Sequence, residues 1–98
     1  MSKPTAFTPD EAKARMPDVP GWALSDDGRA ISREWQVKGF LTAQGLAMLA
    51  GAVGEARNHH PDIAYGWGRC QVTFTSHDAG GLTGRDFDCA ARINAVLD

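Results

Sequence analysis

The chain has 98 residues, a formal net charge of -2, 43% hydrophobic and 22% charged residues, which reads as one soluble domain over 1–98 with a single core. Scattered Lys and Arg give no footprint for direct nucleic-acid binding, and the longest apolar run, LAMLAGAV at 46–53, is far below the roughly 20 residues of a membrane span. MSKPTAFTPDEAK lacks the features of a signal peptide, and Cys70 and Cys89 read as reduced, partly buried thiols, so a cytoplasmic location is expected.

FTPDEAKARMP opens a short helix: Thr8 is the N-cap, Pro9 suits the first helical position, Glu11 completes a capping box, and Pro17 ends it. Phe7 is placed to staple onto Ala12. Trp22 and Leu24 then lead into Asp27-Gly28, the residues a tight hairpin turn prefers. In AISREWQV the alternation puts Ile31, Arg33, Trp35 and Val37 on one face of a half-buried strand.

From Thr42 the period lengthens. Leu46, Leu49, Ala50, Val53 and Ala56 follow helical spacing, and Gly45, Gly51 and Gly54 weaken that helix unless it packs closely against something. It should stop near His59 or His60, because Pro61 disfavours helical backbone in the residue before it. IAYGWGRCQVTFTS reads as two strands turning near Gly68, with Cys70, Val72 and Phe74 sharing a face. After HDAGG, Thr83 and Asp86 form a second capping box, and Phe87, Ala90, Ile93 and Leu97 make the apolar side of a last helix. The order αββαββα predicts a two-layer α+β fold, a four-stranded antiparallel sheet with three helices on one face.

All three histidines, His59, His60 and His77, fall between residues 58 and 86. Glu55 and His59, spaced i, i+4, can sit one turn apart, either as a solvated surface pair or with the carboxylate orienting the ring. Pro61 breaks the helix and lets the two adjacent rings point into one cleft, while His77 stands at a strand end before Gly80 and Gly81. Asp86 is placed either to cap its helix or to accept a hydrogen bond from a ring. A zinc site built from these imidazoles with Cys70, Asp62 or Asp78 matches no common ligand spacing, and no hydrolase nucleophile elbow is present. Tyr65 and Trp67 pack in the core or an interface, or wall a flat heterocycle.

Glu55, His59, His60, Pro61, Trp67, His77 and Asp86, with SHDAGGLT around His77, make the chain resemble the pterin-4a-carbinolamine dehydratase family. That resemblance implies an enzyme removing water from a 4a-hydroxytetrahydropterin to give the quinonoid dihydropterin in tetrahydropterin recycling. It implies catalysis by histidine general acid/base chemistry, with no metal and no cofactor. His59 and His77 are then expected to transfer protons and His60 to bind the ring edge. Glu55, Asp78 and Asp86 would orient groups, Pro61 would direct the histidine pair, and Trp67 would wall the pterin. A homodimer or homotetramer is also implied. The rival readings are a protein–protein adaptor or coactivator of the same fold, and a related pterin enzyme of molybdopterin metabolism.

Overall fold

The computed structural model describes residues 4–98, so the first three residues of the segment read for a signal peptide lie outside the described residues. The chain runs α1 (Pro9–Arg15), a 3-10 turn (Met16–Asp18), β1 (Ala23–Leu24), β2 (Ile31–Gln36), α2 (Phe40–Ala56), β3 (Asp62–Gly66), β4 (Arg69–Phe74) and α3 (Gly84–Leu97). The four strands form one antiparallel sheet in the order β1-β2-β4-β3, giving the expected α+β fold. Among the described residues no helix is long and apolar enough to cross a membrane.

Register explains which face is buried. Ile31 pairs with Phe74, Arg33 with Val72 and Trp35 with Cys70, so the alternating apolar sets of β2 and β4 fall on the same side. Ile63 and Tyr65 of β3 join them opposite Val72 and Cys70. Helices cover this side, burying Ile31, Cys70, Val72 and Phe74 completely. The other side carries Ser32, Glu34, Gln71 and Thr73 and stays open. Trp22 closes one end of the core against Trp35 and Phe74, and its indole N–H donates to Asn94 Oδ1 at 2.9 Å.

Both capping boxes form as the side-chain chemistry dictates, at Thr8–Glu11 and at Thr83–Asp86. Three details differ from the sequence reading. β1 is only two residues long, and the connection to β2 is a wider loop closed by Ser25 N–H to Ala30 O, with Asp27 accepting from Ser25 Oγ and Arg29 N–H. α2 starts at Phe40 rather than Thr42. Its most buried line is Ala43, Ala47, Ala50 and Gly54; Leu46, Leu49 and Val53 pack at the flanks and Ala56 is exposed. Small residues win the central line because they let the helix axis approach the sheet.

The exit of α2 sets up the rest. His59 N–H bonds Gly54 O and Asn58 N–H bonds Glu55 O, while Asn58 takes a left-handed φ of 50°. That pairing is a Schellman cap with Asn in place of the usual Gly, and it ends the helix two residues ahead of His59, before Pro61 can act. The returning chain crosses Gly54 so closely that a Cβ there would lie 2.6 Å from Pro61 Cδ and 2.9 Å from His59 O. Gly54→Ala should therefore overpack this crossing by about 1 to 3 kcal/mol, more than the gain of up to about 1 kcal/mol in helix propensity. Urea unfolding should show a net loss of stability, and a more stable variant would contradict the crossing.

Candidate active site

Three segments converge on one carboxylate. Asp86, completely buried in the first turn of α3, lies with Oδ1 2.6 Å from His59 Nε2. Its Oδ2 accepts from Ser76 Oγ at 2.8 Å and from Thr83 N–H at 2.9 Å. With two donors already on the carboxylate, His59 Nε2 is placed as the third, donating its N–H. Ser76 commits its proton to Asp86, so the Thr83 hydroxyl donates to Ser76 Oγ, 2.9 Å away, and still accepts from Arg85. The two roles expected as alternatives for Asp86, helix capping and ring binding, are carried by its two oxygens at once.

His59 is 8% exposed, its ring lying nearly parallel to Phe74 with centroids 6.0 Å apart. A buried ring held on two sides is fixed in direction. His60 is its opposite, with a side chain 58% exposed and Nε2 2.7 Å from Glu55 Oε1. The i, i+4 pairing of Glu55 with His59 does not form; the Schellman cap swings His59 inward and brings the next residue, His60, back over Glu55. Pro61 is half-buried at the crossing above Gly54.

His77 is exposed at the start of a short loop that leaves Ser76 and returns at Gly81, where the two residues exchange backbone bonds of 3.1 and 3.3 Å. Because Ser76 is bonded to Asp86, the segments carrying His59 and His77 meet at the same carboxylate. Asp78 does not face an imidazole. It forms a two-pronged pair with Arg85, Nη2 to Oδ1 at 2.6 Å and Nη1 to Oδ2 at 3.3 Å. The Arg85 hydrogen bond holds the Asp78 carboxyl below its ordinary 3.8, and Asp78 in turn raises Arg85.

Trp67 is not brought to the histidines of its own chain. It is 75% exposed at the β3–β4 turn, where Gly68 bonds Val37 and Gly39 at the start of α2. The five residues of β3 separate it from Pro61, about 16 Å of extended chain. Tyr65 packs on Phe40 with centroids 5.6 Å apart and accepts from Gln44, well away from the site.

Ser76, Thr83, Arg85 and Asn58 escaped the sequence reading as site residues. Thr83 was readable only as a helix cap, and Asn58 only as a residue tolerant of left-handed backbone at a helix end. Both cysteines are free and buried, and burial pushes Cys89 up to about 11 and Cys70 upward, which leaves protonated, unreactive thiols. Among the described residues no three His, Cys, Asp or Glu side chains are grouped to hold a metal ion. A groove of about 440 Å³ between α2 and α3, lined by Ala52, Val53, Ala56 and Val96 with Arg57 and Arg92 at its rim, contains none of the histidines.

Comparison with known proteins identifies a family for the chain as a whole. Residues 5–96 match the family model described as Pterin 4 alpha carbinolamine dehydratase. A protein of Paracoccus denitrificans, provisionally named pterin-4-alpha-carbinolamine dehydratase, is 46% identical over 91 residues, covering 93% of this chain and 85% of its own. One of Aromatoleum aromaticum with the same provisional name is 38% identical over 90 residues, covering 92% and 80%. The crystal structure of a transcriptional coactivator/pterin dehydratase from Brucella melitensis superposes with a TM-score of 0.84 at 32% identity, covering 96% of this chain and all of that one.

The depressed carboxyl of Asp78 fixes a sign. A lowered folded value means the ion pair is complete above the ordinary 3.8 and is lost only as the pH falls through the lower, folded value. The Asp78 carboxyl carbon, followed by NMR, should titrate with a midpoint below 3.8 and move back up in Arg85→Ala. A midpoint at or above 3.8 in the wild type would remove the pair.

Proposed function

The chain belongs to the pterin 4 alpha carbinolamine dehydratase family, and from that premise we propose that it is a 4a-hydroxytetrahydropterin hydro-lyase working by histidine acid/base catalysis in tetrahydropterin recycling. The observation that carries the reading is the division of labour among the imidazoles. One is buried and anchored on Asp86, and two are exposed on segments that Asp86 joins.

The reaction breaks the C4a–O bond and forms C4a=N5. Hydroxide leaves poorly, so an acid protonates the departing oxygen to water while a base takes the N5 proton, whose bonding pair becomes the new double bond. An unperturbed imidazole, with a pKa of about 6.5, suits both tasks near neutrality. His60 and His77 are the accessible rings, so the proton transfers fall to them. This exchanges the roles first expected of the adjacent pair: His59, its Nε2–H committed to Asp86, becomes the group that binds and positions, and Glu55 orients His60 through the 2.7 Å contact. Pro61 fixes the direction of the pair. A 4a-hydroxytetrahydrobiopterin is the substrate this reading implies, and the reaction draws on no metal or redox cofactor.

Decay of a 4a-hydroxytetrahydropterin, followed by stopped flow, should be accelerated by the wild type. His60→Ala or His77→Ala should each lower turnover about 100-fold with the melting temperature unchanged, since both side chains are exposed. A wild type without acceleration, or both variants near full activity, would sink the proposal.

A homodimer or homotetramer is proposed as well. Between Phe40 and Gly54 α2 carries no charged residue, and it shows solvent Leu41 at 78% and Met48 at 68% exposure. A helix apolar on both faces calls for a cover, and a second copy supplies one. Light scattering should give two or four chains per particle, falling to one on replacing Leu41 and Met48 by Glu; a monomeric wild type would refute it. The coactivator reading draws on the same apolar surface, and it would be favoured by a protein that binds partners yet never accelerates the decay.

A further inference from the structure

We propose that Arg85 is a positioning residue for the dehydration: its guanidinium grips Asp78 and thereby fixes the loop that presents His77. Residues 77–80 have few other restraints. Apart from the Ser76–Gly81 exchange, they are held by the turn bonds Ala79 N–H to Ser76 O and Gly80 N–H to His77 O, and Gly80 sits at a φ of 74°. Asp78 supplies the one side-chain tie of that stretch among the described residues, at 2.6 and 3.3 Å to two nitrogens of one guanidinium. Two parallel bonds fix an orientation as well as a distance, which a single ammonium would not do.

The other end of the clamp is rigid. Arg85 lies in the first turn of α3, and its Nε and backbone N–H both donate to Thr83 Oγ1 at 3.3 Å. Thr83 bonds Ser76, Ser76 bonds Asp86, and Asp86 bonds His59. A continuous polar chain therefore runs from the loop of His77 to the buried ring of His59, with Arg85 as the link that leaves the interior. An ion pair whose side chains are 41% and 50% exposed adds little to global stability. Its effect is on the direction of the neighbouring imidazole, and a small misplacement of a proton-transfer group lowers turnover steeply.

This inference rests on the reading that His77 transfers a proton. In stopped-flow turnover Arg85→Ala should lower kcat about 5- to 20-fold, with the melting temperature unchanged and Arg85→Lys giving incomplete rescue. In a His77→Ala background the same Arg85→Ala substitution should leave the residual kcat within about twofold, because Arg85 acts through His77. Backbone order parameters of residues 77–80 from nitrogen-15 relaxation should fall in Arg85→Ala. Wild-type kcat in Arg85→Ala, an equal loss in both backgrounds, or unchanged order parameters would each overturn it. A wild type with no turnover at all would instead bring down the dehydratase reading, and with it the catalytic part of the clamp.

Discussion

A single buried carboxylate organises this molecule. Asp86 has no exposed surface, and a carboxylate in that position is tolerable only if its oxygens are fully engaged. It meets the requirement by drawing one donor from the exit of α2, one from the exit of β4 and one from the N-cap of α3. Removing the carboxylate would leave three donors without a partner in the interior, so the constraint acts on every element that contributes one. Elements far apart in the chain are thus held in register by electrostatics rather than by apolar contact alone.

Packing and polar chemistry meet at the end of α2. The cap on Asn58 turns His59 inward, the missing Cβ of Gly54 gives Pro61 room to cross, and the crossing places His60 over Glu55. Two neighbouring histidines consequently live in opposite environments. The first is enclosed between Phe74 and Asp86; the second stands in solvent beside a carboxylate. Adjacent residues in an extended or turning backbone point to different sides, and here that geometry separates a buried imidazole from an exposed one.

The outer surface follows a different logic. Exposed charges form ion pairs such as Arg57–Asp88, Arg92–Asp88 and Arg85–Asp78, whereas α2 presents bare Leu41 and Met48 and the α2–α3 groove is largely apolar. Water solvates the paired charges readily and gains little from the apolar stripe, so the apolar exposure lies on the helical side and the polar side chains on the open sheet face.

Local chemistry made much of this legible in the sequence. Capping boxes at Thr8 and Thr83 need only residues three apart, and the faces of β2 and β4 need only alternation, so both were readable and both formed. The histidine cluster and the final capping box also pointed to the segments that Asp86 joins. Pairing was another matter. Glu55 stood four residues from His59, yet bonded His60; Asp78 stood beside His77, yet bonded Arg85; Trp67 stood near the histidines in sequence, yet lies at the far end of β3. Hydrogen-bond partners depend on where a backbone turns and what crosses it. Spacing along the chain determines local elements, and only the packed structure decides which side chains within reach of one another share a proton.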